Sequence, residues 1–166
     1  MKQMKYKKQI QLIAAIVTLI VFPVITFYLM EAYTHNPFEE VRPWAQFFNI
    51  LLFELLAWIF VSVTGKIQSG LRIELVTAMI YGIANAYVVR FRTNPIVPWD
   101  IFSWKTAASV ASNYDFKPDM RMIVVTLAFL GMIVLLQFVK TGMPKFQLWK
   151  RLIPAGACCI VLVLFV

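Results

Sequence analysis

The feature that most constrains this chain is a series of long apolar runs, each close to the length of a bilayer crossing. The runs occupy residues 9–30, 44–64, 73–89, 122–139 and 152–166. A helical crossing needs about 20 apolar residues, because each helical residue adds only about 1.5 Å of length. In lipid every backbone amide must be bonded within its own segment, and the alternation of a barrel strand is absent. Each run therefore predicts a transmembrane helix.

The composition supports the same class. Hydrophobic residues make up 61% of the 166 positions and charged residues 14%, and the mean hydropathy is +0.75. A soluble domain of this size could not bury so much apolar surface, whereas a bilayer accepts it. The sequence thus predicts an all-α integral membrane protein, with residues 1–166 forming one transmembrane domain built as a five-helix bundle.

The fifth run differs from the other four. It has about 15 residues, carries no closing charge and ends at the final residue, Val166. A terminal carboxylate left in the apolar layer costs a few kcal/mol. We therefore expect the fifth helix to be truncated, with the natural chain continuing past Val166. A short re-entrant helix and a true terminus near the far headgroups are the alternatives.

The basic residues predict the orientation, because cytoplasmic loops are enriched in Lys and Arg. If the N-terminus is cytoplasmic, ten of the sixteen basic residues face the cytoplasm. These ten are Lys2, Lys5, Lys7, Lys8, Lys66, Arg72, Lys140, Lys145, Lys150 and Arg151. We expect a multi-pass protein of the cytoplasmic membrane with its N-terminus inside. The net charge of +8 then indicates contact with anionic lipid, and we expect no nucleic-acid partner.

Conventional catalytic and metal-binding motifs are absent from the sequence. It has no Gly-rich phosphate loop, HExxH, GxSxG or paired CxxC. Cys158 and Cys159 are neighbours in the last run without His or acid at ligand spacing. The lone histidine, His35, lies in a loop and receives no role. We assign no catalytic residue, no metal ligand and no cofactor to this chain.

The segment between the third and fourth runs is charged and rich in proline. Pro95 and Pro98 hold the residues before them extended, so no helix can start until they are passed. Asp100 suits an N-cap for a helix over about residues 100–114. That helix is too short and polar to cross, so we expect it to lie flat on the outer face, with Trp99 and Trp104 in the headgroup layer.

Two arginines stand at the predicted outer end of the third helix. Arg90 and Arg92 can hold a phosphate diester with their guanidinium forks, or extend to the interface as ordinary anchors. Asp100 can cap the interfacial helix or orient one of these arginines. Trp99 and Trp104 can anchor the chain at the interface or contact acyl chains and glycerol. These five residues form a candidate site for lipid headgroups.

Three polar residues lie within the predicted crossings. Glu54 is near the middle of the second, with Asn49 on the same helix and Asn85 on the third. An ionisable group at such depth is costly unless it is neutral or paired. Hydrogen bonds between helices, including one to Gln137, are the structural interpretation, and a lipid or ion path is the functional one.

Residues around the proline-rich segment form a pattern. It consists of Asn85, Arg90-Phe91-Arg92, Asn94-Pro95-Ile96-Val97-Pro98-Trp99-Asp100-Ile101, Ala107-Ala108 and Asn113-Tyr114-Asp115-Phe116. This pattern resembles the membrane domain of the lipoteichoic acid synthase family, which has an Arg-x-x-Pro-x-x-Pro-x-Asp-like loop after its third span and five spans in all. The chain departs from the family at Thr93-Asn94, where a Gly is usual, and at Trp99, where a small residue is more common.

The resemblance implies a function. Members of that family carry an extracellular sulfatase-like domain, which uses a divalent metal (Mn or Mg) and a Thr nucleophile to transfer phosphoglycerol from phosphatidylglycerol. This chain lacks that domain, so we expect no activity from it alone. It would anchor and present lipid to its own or a separate catalytic domain, in a Gram-positive type of cell envelope. The alternative is a stand-alone membrane protein, either a transporter subunit with Glu54 as its ion site or a lipid-binding accessory protein.

Overall fold

A computed structural model describes residues 2–103, 105, 109, 116–139, 153 and 155–161. This part of the chain is helical and contains no strand. Its elements are α1 (Lys2–Glu31), α2 (Pro37–Glu40), α3 (Pro43–Thr64), α4 (Ile67–Arg92), a 3-10 helix (Pro98–Ser103) and α5 (Met120–Phe138). Residues 105, 109, 153 and 155–161 are also helical. The predicted all-α class is confirmed.

Four helices in the described part are long and apolar enough to cross a membrane. They are Gln9–Glu31, Pro43–Thr64, Ile67–Arg92 and Met120–Phe138. Three match the predicted crossings closely, but the third begins at Ile67 and not at residue 73. Its first two turns contain Gln68 and Arg72, so a search for apolar runs passes over them. Of the predicted fifth crossing, 152–166, the structure describes residues 153 and 155–161, which are helical.

The burial pattern of these four helices supports a lipid surround. Each has an apolar window of 18 residues, yet only 17–33% of each window is buried inside the protein. A helix that is apolar on every side belongs in a protein core or in a membrane. Because most of these residues face outward, a bilayer is the environment that would cover them.

Helix α4 is central to the bundle and packs against α1, α3 and α5. It forms a hairpin with α3 through Gly65, which closes α3 in the left-handed conformation at φ 68° and donates its N–H to the Val61 carbonyl. At Gly70 the two helices approach so closely that an added Cβ would lie 2.5 Å from the backbone nitrogen of Val61. A small residue is needed there because the backbones almost touch.

Helix α5 is attached to the rest of the bundle near its middle and at its C-terminal end. Tyr33 stacks on Phe129 of α5 with ring centroids 5.9 Å apart, and its hydroxyl lies 2.9 Å from that of Thr126. A Cβ at Gly82 of α4 would meet the Tyr33 ring at 2.5 Å. The Gln68 amide donates to the carbonyls of Leu136 and Val139 at the C-terminal end of α5.

After α4 ends, residues 93–103 fold back beside its last turns, and we call this segment the strap. Thr93 begins it in the left-handed conformation at φ 62°, and the Ile96 N–H donates to the Asn85 side-chain oxygen at 2.8 Å. We call this end of the bundle, which includes α2, the strap end. The opposite end, at Gly65, is the turn end.

Candidate functional site

An ion pair joins the strap to the last residue of α4, and we call it the clasp. The Arg92 guanidinium donates to both carboxylate oxygens of Asp100, at 2.7 and 2.6 Å, and to the Pro95 carbonyl at 3.0 Å. The Val97 N–H also donates to Asp100, at 2.8 Å. These bonds from Arg92 and from the Val97 backbone lower the pKa of Asp100 to about 2. A bidentate pair with this geometry fixes the path of the loop.

Asp100 does not occupy the N-cap position that the sequence analysis gave it. The 3-10 helix begins at Pro98, so Asp100 is its third residue and lies inside it. Pro98 starts the helix because its fixed φ and missing N–H suit a first position. From the third position the Asp100 carboxylate reaches back to the N–H of Val97, as the acid of a capping box does. The rest of the predicted helix over 100–114 lies largely outside the described residues.

Arg90 points to a different partner. Its guanidinium donates to the Lys117 carbonyl at 2.9 Å, and nearby the Tyr87 hydroxyl donates to the Phe116 carbonyl at 2.8 Å. The rings of Tyr87 and Phe116 meet edge to face with centroids 5.2 Å apart. Arg90 therefore ties α4 to the segment before α5. A carbonyl leaves its positive charge unneutralised, whereas Asp100 neutralises that of Arg92.

Aromatic side chains project from the strap. Trp99 and Phe102 stack with ring centroids 6.1 Å apart, and they are 75% and 77% exposed. Large exposed aromatic rings at the end of a crossing helix are typical of the membrane interface. Trp104, which the sequence analysis paired with Trp99, lies outside the described residues.

A groove of about 750 Å³ lies between α1, α3 and α4 and reaches the strap. On α4 its wall is a stripe at helical spacing that includes Glu74, Thr77, Tyr81 and Asn85. The facing wall on α3 is mostly apolar. Its main residues are Leu52, Phe53, Leu56 and Phe60. Thr93 and Pro95 of the strap lie at one end of the groove, so it is polar on one side, apolar on the other and bounded by the strap.

Glu74 lines the groove toward the turn end and is the functional candidate that the sequence analysis missed. Its side chain is 2% exposed, and neither carboxylate oxygen has a hydrogen-bond partner among the described residues. It stands seven residues after Ile67, or roughly 10 Å along α4. The predicted third crossing did include Glu74, and the charge within an apolar run was a signal that could have singled it out.

The three intramembrane polar residues of the sequence analysis do not form the predicted network. Asn85 bonds the strap and also lines the groove. Asn49 lines the groove on α3. Glu54 interacts electrostatically with Glu74 but is not part of the groove wall. In the part of the chain that is described, no hydrogen bond links Glu54, Asn49 or Asn85 to one another or to Gln137.

The strap end of the groove carries further titratable groups. His35 lies 3.1 Å from the Glu31 carboxylate, and its other ring nitrogen lies 2.8 Å from the Thr34 hydroxyl. Glu40 lines the same end and accepts a bond from the Asn36 N–H at 3.2 Å. His35, which received no role above, is thus part of the groove rim.

The described residues contain no group of three or more His, Cys, Asp or Glu side chains that could hold a metal ion. The divalent metal that the family resemblance implies has no fitting site in this part of the chain. We therefore derive no step through a metal.

The described residues define a class: they are all-α and include four helices able to cross a membrane, which is compatible with a multi-pass membrane protein. No family model, curated protein or solved structure matches this chain. The resemblance to the lipoteichoic acid synthase family therefore depends on the motif residues alone.

Proposed function

We propose that this chain is a lipid-binding membrane domain that works at the outer face of a bacterial cytoplasmic membrane. In this proposal the N-terminus is cytoplasmic and the strap end is outside. The motif resemblance leads us to propose further that it is the membrane half of a phosphoglycerol transferase similar to lipoteichoic acid synthases. The observation that carries the proposal is the strap, a pre-formed loop with exposed aromatic rings beside an arginine.

The strap is suited to the headgroup layer because its own polar groups are largely satisfied. The clasp neutralises Arg92 and Asp100, so the loop can enter the interface without two separate charges. Trp99 and Phe102 then present apolar rings to lipid. A loop already held in one conformation loses little conformational entropy when a lipid binds.

Arg90 is the residue to which we assign contact with the headgroup. Its charge has no carboxylate partner within the described residues. One N–H of its guanidinium donates to the Lys117 carbonyl, which orients the side chain. The remaining N–H groups can donate to a phosphate diester such as that of phosphatidylglycerol. Arg92 and Asp100 are positioning residues here, because each uses its charge on the other. This assignment is narrower than the site predicted from the sequence.

The proposed role is anchoring and lipid presentation. The transferase chemistry would come from an extracellular catalytic domain, either linked to this chain or separate. This chain would hold phosphatidylglycerol at the outer face, where such a domain can reach the headgroup.

The proposal is tested by measuring lipid binding to variants that each lack one arginine charge. The full chain in phosphatidylcholine nanodiscs is titrated with phosphatidylglycerol, and Arg90→Gln is compared with Arg42→Gln. Arg42 is an exposed cation of the strap end with no side-chain capping bond, so its variant measures the general effect of one lost charge. One basic residue near an anionic surface contributes about 1 kcal/mol, or about fivefold in affinity.

We expect Arg90→Gln to raise the Kd for phosphatidylglycerol to at least three times the Kd of Arg42→Gln. Equal losses in the two variants would contradict a specific headgroup site at Arg90. Binding that is unchanged in both would contradict any role of these cations.

The alternative function, a stand-alone membrane protein with an ion site at Glu54, has one observation in its favour. A buried carboxyl group lines the groove in the interior of the bundle, but it belongs to Glu74 and not to Glu54. We therefore retain the alternative function with Glu74 as the proposed ion site.

A further inference from the structure

We propose that the groove is a binding site for a protonated amine attached to an apolar body, with Glu74 as its counter-ion. This proposal is separate from the lipid contact assigned to the strap and Arg90. Either of the two proposals can fail without the other.

The charge of the groove selects a cation. Among the described residues, its lining includes Glu31, Glu40, Glu74 and His35 but no Lys or Arg. A cleft lined by charges of one sign between apolar walls concentrates ligands of the opposite sign. A phosphate group would meet carboxyl groups at both ends of the groove and no cation among the described lining residues, so the anionic lipid proposed for the strap is not the ligand expected here.

Glu74 supplies the specific contact. Burying a carboxylate without a partner is very costly, so such a group is either neutral or paired with a cation. The surrounding described residues leave both oxygens of Glu74 free to accept, and the groove gives a ligand a path to them. A cation that reaches this position relieves the cost of the buried charge.

The other groups near Glu74 suit an ammonium group in particular. An ammonium group has three N–H donors. Thr77, about one turn further along α4, places a hydroxyl group on the same wall. Together with the two carboxylate oxygens, this hydroxyl can accept all three donors.

The apolar wall determines the remainder of the ligand. Phe53 and Phe60 line the groove opposite the polar stripe, together with Leu52 and Leu56. Aromatic faces attract a cation when water is excluded, and the aliphatic side chains bury hydrocarbon. A small inorganic cation would need several oxygen ligands in place of such a wall. The volume of about 750 Å³ is in the range of pockets for small organic ligands.

Calorimetric titration with a matched pair of probes tests this proposal. The full chain in phosphatidylcholine nanodiscs is titrated with 4-phenylbutylamine and with 4-phenylbutanol, which has the same apolar body without the charge. Glu74→Gln keeps the size of the side chain and removes its charge. Glu54→Gln is the matched control, because Glu54 does not line the groove. Leu52→Trp fills the groove without altering Glu74.

We expect the parent chain to bind the amine at least tenfold more tightly than the alcohol. Glu74→Gln should abolish that difference, whereas Glu54→Gln should reduce amine binding less than threefold. Leu52→Trp should weaken the binding of both probes, which keeps the proposal testable if Glu74→Gln does not fold. Arg90→Gln should leave amine binding unchanged, which separates this test from that of the lipid proposal.

Several results would overturn the proposal. One is equal binding of the amine and the alcohol by the parent chain. Another is amine binding that survives both Glu74→Gln and Leu52→Trp. A third is displacement of the amine by millimolar K⁺ or Na⁺, because it would indicate an inorganic cation site.

Discussion

At the scale of single residues, the clasp explains why the proline-rich segment has its sequence. Arg92 and Asp100 are the two ends of the Arg-x-x-Pro-x-x-Pro-x-Asp pattern, and they bond each other at 2.6–2.7 Å. Pro95 accepts from Arg92 with its carbonyl, and Pro98 starts the 3-10 helix that carries Asp100. The pattern therefore has a structural role within this chain whether or not a lipid binds beside it.

The clasp predicts how Asp100 titrates. Its pKa is about 2 in the folded chain, against an ordinary value of 3.8. The carboxylate therefore contributes its full stabilisation above about pH 4, and this contribution is lost as the pH falls through about 2. Carboxyl NMR with ¹³C-labelled aspartate should show one midpoint near 2, assigned by its absence in Asp100→Asn.

Arg92→Gln provides the control for this titration. Because the bonds from Arg92 are the largest cause of the shift, the midpoint should move up toward 3.8 in that variant. A midpoint near 4 for Asp100 in the parent chain would show that the clasp does not form.

The sequence predicted part of this site. It identified Arg92 and Asp100 as possible partners and Trp99 as an interface residue. It did not predict that the helix begins at Pro98, because Asp100 suits both the N-cap of a helix and its third residue. Thr93 was noted only as a departure from Gly, and its φ of 62° shows that this position has the conformation in which glycine is favoured.

At the scale of elements, α4 determines the arrangement of the bundle because three other helices pack on it. Its contact with α3 is the tightest at Gly70, where a Cβ would lie 2.5 Å from Val61 backbone and side-chain atoms. We expect Gly70→Ala to destabilise the protein by about 1–3 kcal/mol, as overpacking does in other cores. Thermal unfolding of the purified protein in detergent measures this change.

Gly131 offers the matched control for that variant. It also lies inside a helix long and apolar enough to cross a membrane, but a Cβ there would meet no atom of the described residues within 4 Å. Gly131→Ala should leave the unfolding temperature unchanged or slightly raised, because alanine favours helix. Equal effects of the two substitutions would contradict the close approach of α3 and α4.

The apolar runs predicted the four helices well because hydropathy and length directly determine a crossing. The lower boundary of the third was wrong by six residues, since the polar side chains of Gln68 and Arg72 interrupt the apolar pattern. Gln68 is satisfied by carbonyls of α5, which hydropathy cannot reveal. The predicted contacts among Glu54, Asn49 and Asn85 also failed, because sequence gives the depth of a residue but not the direction in which it faces.

At the scale of the whole molecule, the two proposals occupy different parts of the bundle. Arg90 and the strap present a positive charge and aromatic rings at one end, whereas the groove leads from that end to the buried carboxyl of Glu74. The groove could not be predicted from the sequence, because its wall combines residues of three helices that are far apart along the chain. Only the packing of α1, α3 and α4 brings His35, Asn49 and Glu74 to one surface.

We propose that the helices cross a membrane with the strap outside and the α3–α4 turn inside, and the proposed function depends on this orientation. Cysteine labelling in intact cells tests it most directly, with Asn94→Cys in the strap and Lys66→Cys in the turn, both in a chain whose Cys158 and Cys159 are replaced by serine. Both positions are exposed. An impermeant maleimide should label Asn94→Cys in intact cells and Lys66→Cys only after permeabilisation. Labelling of Lys66→Cys in intact cells, or protection of Asn94→Cys there, would contradict the account.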